Sequence, residues 1–181
     1  MKKIITILIL LSSFTINAQN CKYKTNEVDK FTGKFTKLTK PLKVISTFFT
    51  GGDFSVKKVD TSFFFIFDYT LSSYSNFNPY SINSGAQLIF LLENGDIVTL
   101  KTKDVIKGIK RTVIGIPPVY VCELTNVSYP VSRADIDKFF HSKIKSIRFY
   151  RTEDNGKEDY VDNEIKNRKQ DDIQELIKCV Y

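Results

Sequence analysis

Apolar and polar residues alternate along much of this chain with the two-residue period of a β-strand, most sharply at "SFFFIFDYTL", residues 62–71. Phe63, Phe65, Phe67, Tyr69 and Leu71 fall on one face of such a strand, and Ser62, Phe64, Ile66, Asp68 and Thr70 fall on the other. The first face is wholly apolar and belongs to a core. The second is apolar only in its middle, which predicts a central strand half roofed on that side. Insertion into a bilayer does not fit the pattern, because Asp68 and the polar ends would be stranded in lipid.

The same reading extends outward. Residues 21–47 read as strands broken at "FTGK", with a turn at Gly33, and the paired Gly51 and Gly52 predict another turn. In "AQLIFLLENGDIVTLKT", Leu88–Leu92 and Ile97–Leu100 read as a hairpin joined through Asn94-Gly95, a dipeptide suited to a type I′ turn. A Ser/Asn-rich loop, "SSYSNFNPYSINSG", precedes it. A strand is expected from after Pro117 and Pro118 to just before Pro130, then a short helix in "SRADIDKFFHS" with Ser132 as N-cap and Asp135 in the first turn. "KIKSIRFYRT" reads as a strand with Ile147 and Phe149 inward and Lys145 and Arg148 outward or toward the rim, and "TEDNGKEDY" as a turn region. The period then lengthens. "VDNEIKNRKQDDIQELIKCVY" predicts a helix with Ile165, Ile173, Leu176, Ile177 and Val180 on one stripe, extended by the buried stem of Lys169. These elements predict an α+β fold: a twisted, mainly antiparallel β-sheet with one short helix and a C-terminal helix packed on the sheet.

The N-terminal segment changes where this domain is expected to work. Lys2 and Lys3, the apolar run from Ile4 to Leu11 and the small-residue site at Ala18 have the layout of a secretory signal peptide over residues 1–18. Its apolar part is shorter than the ~20 residues a bilayer-crossing helix needs. A lipoprotein signal ending at Cys21 would place a small residue directly before the cysteine and leucine three before it, where this chain has Asn20 and Ala18. No later segment is long and apolar enough to span a membrane. The expectation is a single domain over residues 19–181, periplasmic or extracellular. The formal charge of +7 falls by two with Lys2 and Lys3. Lys22, Lys24, Lys30, Lys34, Lys37, Lys40 and Lys43 sit close together in sequence, which suits solvated strand edges or an anionic glycan of the envelope. Nucleic acid is not an expected partner, since no basic–aromatic module is present.

An oxidising compartment permits a disulfide. Of Cys21, Cys122 and Cys179, the first and last lie near the two mature ends and are candidates for a bridge, although spacing does not give connectivity. Cys122 alternates with Tyr120 and Leu124 and reads as a small buried apolar residue.

Catalytic and metal chemistry is thinly provided, and no cofactor is called for. His141 is the single histidine, placed near the end of the short helix, and no serine is positioned to make a triad with it. One histidine and three dispersed cysteines lack zinc-site spacing. "EDNGKEDYVDNE" misses the EF-hand register and reads as an acidic turn. A carboxylate pair for hydrolysis is available only in the sense that Asp53, Asp68 and Glu93 exist; its test is their separation. The positive candidate is the aromatic loop. Tyr74, Phe77 and Tyr80 recur every third residue among serines and asparagines, either as a binding surface or as a lid over a sheet edge.

Taken together, "EVDKFTGK", "LENGDIVTL", "YPVSRADIDKFFHSKIKSIRFY" and the terminal "LIKCV" resemble small exported bacterial proteins of unknown function. The resemblance implies a single α+β domain behind an export signal and assigns no catalytic or binding residue. The expected function is a non-catalytic binding or structural module of the cell envelope. Alternatives are an inhibitor or immunity-type protein acting by surface occlusion, and a hydrolase with an acid pair in a cleft.

Overall fold

The computed structural model describes residues 21–181, so the expected signal peptide over residues 1–18 lies outside the described residues. Asp29 closes the first turn by accepting the N–H groups of Phe31 and Thr32, and Gly33 supplies a φ of +70° there. This turn joins β1 (Tyr23–Val28) to β2 (Phe35–Thr39). There follow β3 (Leu42–Ser46), β4 (Thr50–Val59), β5 (Ser62–Ser73), β6 (Ser81–Ile82), β7 (Gln87–Leu92) and β8 (Ile97–Lys101). Next come β9 (Ile106–Lys107), β10 (Ile109–Val113), β11 (Val119–Val131) and α1 (Arg133–His141). The chain finishes with β12 (Ile144–Thr152), β13 (Glu158–Glu164) and α2 (Asn167–Lys178).

The strands form two antiparallel sheets. The larger runs β1-β2-β4-β5-β11-β10 with β3 beside β4; the smaller runs β8-β7-β12-β6-β9 with β13 beside β12. The alternation at residues 62–71 has the parity expected of it. Phe65, Phe67 and Tyr69 are buried and meet rings from the smaller sheet: Phe65 lies 5.7 Å from Phe90, and Phe149 lies 5.0 Å from Phe67 and 5.3 Å from Tyr69. Phe139 of α1 closes the core against Phe65 and Phe90, 5.2 Å from each. Sheet-rich α+β is therefore the architecture, but the apolar face of β5 is covered mainly by a second sheet. Helix α2 lies to one side, against β3, β4, β12 and α1. The other face of β5 is half-buried at Phe64 and Ile66, flanked by Lys57 and Ser55 on β4 and by Pro130 and Ser128 on β11.

Several boundaries differ from the sequence reading for identifiable reasons. Gly51 and Gly52 lie inside β4, not in a turn. The turn is made by Thr47 and Thr50, whose hydroxyls are 2.6 Å apart and whose backbones bond across it. Gly52 serves close approach instead, since a Cβ there would stand 3.0 Å from three atoms of Ile45. At Asn94-Gly95 only Gly95 has positive φ, so the hairpin uses an ordinary turn followed by a left-handed glycine rather than type I′. Pro130 is within β11, beyond the stretch that pairs with β10, where its missing N–H breaks no bond to that neighbour. Residues 161–164 belong to β13, whose partner β12 claims them through a hairpin, so the final helix begins only at Asn167. Helix α1 is capped as its sequence suggests: Ser132 Oγ accepts the Asp135 N–H.

The two ends of the described residues are tied together. Cys21 and Cys179 form a disulfide with their Cα atoms 5.6 Å apart, Tyr23 donates its hydroxyl hydrogen to the Cys179 carbonyl at 2.7 Å, and Cys122 is a free, buried thiol.

Candidate functional site

Strand register brings three turns to one end of the larger sheet. Thr50 faces Leu71 across β4–β5, Tyr120 faces Ser73 across β5–β11, and Val113 faces Val119 across β10–β11. The Ser72 N–H reaches over to the Phe49 carbonyl at 2.7 Å. Everything beyond these pairs projects from the sheet: Phe48 and Phe49 in the β3–β4 turn, Tyr74 after β5, and the "IGIPP" loop between β10 and β11. Ile114 and Ile116 are 98% and 106% exposed and Phe48 is 79% exposed. Tyr74 packs edge-on to Phe49 at 5.7 Å and lies 6.4 Å from Phe48.

The chain segments that build this end carry no charge. Residues 44–52, 69–92 and 112–122 contain no Asp, Glu, Lys or Arg, although such residues are 26% of the sequence. Charges start behind it. Arg111 and Lys110 stand on β10, with Arg111 paired to Glu123 of β11; Lys43 of β3 stands opposite Asp53 of β4, which faces Asp68 of β5. At ~3.3 Å of rise per residue, this charged belt begins about 7 Å behind the last strand pair and extends to about 13 Å.

The three candidate aromatics do not make one surface. Tyr74 joins the exposed end with Phe48 and Phe49, neither of which the sequence reading had singled out. Phe77 and Tyr80 fold back, 6.3 Å from each other, with the Lys110 ammonium 5.8 Å above the Phe77 ring. The Tyr80 ring covers Arg151 at 3.7 Å. That guanidinium is buried. It donates to Asp159 Oδ2 at 2.9 and 2.6 Å and to the Tyr69 hydroxyl oxygen at 3.1 Å, so its charge is matched and its donors are used by the fold. Burial pushes the Tyr69 hydroxyl up, against the pull of Arg151, and burial likewise pushes the neighbouring Cys122 thiol up. Arg151 shares the inward parity of Ile147 and Phe149, which was the available sign that it is an interior anchor.

Other features have less to offer a ligand. Asp53 and Asp68 are adjacent in a depression of about 240 Å³, but it lies open on the outer sheet face, and Asp68 already accepts the Asn126 N–H at 2.5 Å. Glu93 is on the smaller sheet's side, after β7. A groove of about 500 Å³ over the smaller sheet has Ile89, Leu91 and Ile97 on its floor; its charged wall holds Glu164 and the Arg148–Asp162 pair, whose hydrogen bonds hold the Asp162 carboxyl below its usual range. His141 ends α1 with Nδ1 2.7 Å from the Asp137 carbonyl. Among the described residues no group of three His, Cys, Asp or Glu could hold a metal ion, and no helix is long and apolar enough to cross a membrane. The lysines between Lys22 and Lys43 point to solvent apart from Lys37, which lies over the rings of Tyr23 and Phe35 at 5.7 and 5.6 Å.

No protein-family model matches this chain, and neither does any curated protein or solved structure.

Proposed function

We propose that this protein is a non-catalytic binding module of the cell envelope, working through the uncharged end of its larger sheet. The observation that carries the reading is the placement of Phe48, Phe49, Tyr74, Ile114 and Ile116 at one end of the larger sheet, on turns that reach past the last strand pairs and carry no charged residue of their own. Exposed apolar groups gathered on turns at one end of a sheet mark interaction sites, whereas scattered ones need no account. Phe31, 99% exposed at the opposite end of the sheet between Lys30 and Lys34, is the scattered kind. The acids support catalysis less well, since the adjacent pair lies on an open face.

The test is fractionation of cells exporting the tagged chain. The wild type should remain with the envelope, and the triple variant Phe48→Ser/Ile114→Ser/Ile116→Ser should move to the soluble fraction. Equal partition of the two would reject this end as the binding surface. A second reading, occlusion of a partner's cleft, is favoured by one feature: the β10–β11 loop is stiffened by Pro117 and Pro118 and presents Ile114 and Ile116 as a plug.

A further inference from the structure

We infer that the uncharged end docks onto a lipid surface of low net charge, inserting Ile114, Ile116 and Phe48 to the depth of the headgroup–acyl boundary. The inference rests on the binding-module reading and names its partner. Its first support is shape. Phe48, Phe49 and Tyr74 form one small cluster beside a shallow depression, and Ile114 and Ile116 stand on another loop almost without cover, so together they make two prongs and not an enclosed pocket. A protein interface of standard size needs roughly 800 Å² per partner of well-packed surface, which separate prongs supply poorly. A fluid interface accepts them without shape complementarity.

The second support is the gradient along the strands. Aliphatic and phenyl groups come first. Tyr74 and the hydroxyl groups of Thr47, Thr50, Ser72 and Ser73 come next, while Asn76 stands with the belt, its Oδ1 accepting from Lys110 Nζ at 2.5 Å. Charges stand farthest back. Polarity through a lipid interface changes in the same order over a similar distance, with tyrosine favoured at the boundary. Insertion must be shallow, because the turns carry backbone groups that hydrocarbon cannot satisfy.

The third support is the composition of the charged belt. Lys43, Lys110 and Arg111 are offset by Asp53, Asp68 and Glu123. Such a belt gives no net pull toward anionic headgroups, so the docking is apolar in origin and insensitive to salt. This sets it apart from attraction through the lysines of β1 and β2, which lie at the far edge of the same sheet.

The test is flotation of the mature protein with phosphatidylcholine vesicles, with and without a phosphatidylglycerol fraction, at low and high salt. The wild type should float with both compositions and at both salt levels. Ile114→Ser/Ile116→Ser should lose about tenfold or more in partition coefficient, as should Phe48→Ser/Phe49→Ser, while Phe31→Ser should not change. Each variant's thermal unfolding is recorded alongside, and because the replaced groups are exposed the midpoints should match the wild type. Failure of the wild type to float overturns the lipid inference. Flotation only with phosphatidylglycerol, abolished by salt, overturns it in favour of the lysines. If vesicles are not bound while envelope retention still depends on Phe48, Ile114 and Ile116, the partner is a protein; the lipid inference falls and the binding-module reading stands. Loss of both removes both.

Discussion

Strand β5 has two different ends. At the first, Phe63 stacks on Tyr181 at 6.1 Å, the Lys58 ammonium sits 4.9 Å from the same ring, and Tyr181 in turn meets Phe140 of α1 at 4.6 Å. At the other, Phe48, Phe49 and Tyr74 meet, among the described residues, only one another's rings and stay partly in solvent, and the isoleucines of the β10–β11 loop at the same end are left in solvent. Aromatic residues therefore stabilise the fold at one end and are spare at the other. An apolar group that folding does not use, held on a short turn and separated from charge, is available for contact with something outside the molecule.

The contrast is open to direct attack, starting at the core. Phe65→Ala should destabilise by ~3–5 kcal/mol in urea unfolding, because Phe65 touches Phe54, Phe90 and Phe139 and nothing can refill its space. A loss below about 1 kcal/mol would mean the two sheets are not packed through it. Next, Cys21→Ser/Cys179→Ser should cost ~2–4 kcal/mol, since the bridge closes a loop with a sequence separation of 158. Gly52→Ala should cost ~1–3 kcal/mol, as the added methyl crowds Ile45 and strains the hairpin that carries Phe48 and Phe49. Smallest of all, Ile114→Ser or Phe48→Ser should change stability by less than ~0.5 kcal/mol. A larger loss at either tip would show that the end is part of the core and not spare.

Proton linkage sharpens the interior side of the comparison. Burial raises the Cys122 thiol and the Tyr69 hydroxyl, so the folded chain holds these protons more tightly than the unfolded chain does. Their stabilising contribution is complete below the unfolded thiol's ordinary range and fades as pH rises through the folded values. Unfolding midpoints should thus fall on the alkaline side, less steeply in Cys122→Ala. Iodoacetamide should modify Cys122 slowly in the native protein and quickly in urea. Rapid native alkylation would contradict its burial.

Much of the larger sheet was legible because one-sided burial leaves a period of two in the sequence, as residues 62–71 do. Helix α1 was legible because Ser132 and Asp135 are a cap signal complete in themselves. The second sheet was harder to see. Strand β13 is an edge with charged residues on it, and its "VDNE" merges with the amphipathic helix that follows; its pairing with β12 is set by tertiary contact. Strands β9 and β10 are short and lysine-rich, and their place depends on β6 and β11. The candidate site was half visible. Tyr74 stood out as an aromatic in a polar loop, but Phe48 and Phe49 were masked by the adjacent glycines, which looked like the turn itself. Ile114 and Ile116 fall just ahead of the strand expected after Pro117 and Pro118, where no pattern marks them. The available signal was the lack of charge in residues 44–52 and 112–122, and only strand register reveals that those segments meet.

The sequence contains no tryptophan, so one placed at the tip reports without background. Emission of Ile114→Trp on titration with phosphatidylcholine vesicles tests the central claim most directly, with Phe31→Trp as the reference at the far end. The account predicts a blue shift for position 114, quenched by lipids brominated near the headgroup end of the acyl chain, and no shift for position 31. Emission at position 114 that stays at its aqueous wavelength through the whole titration would contradict it.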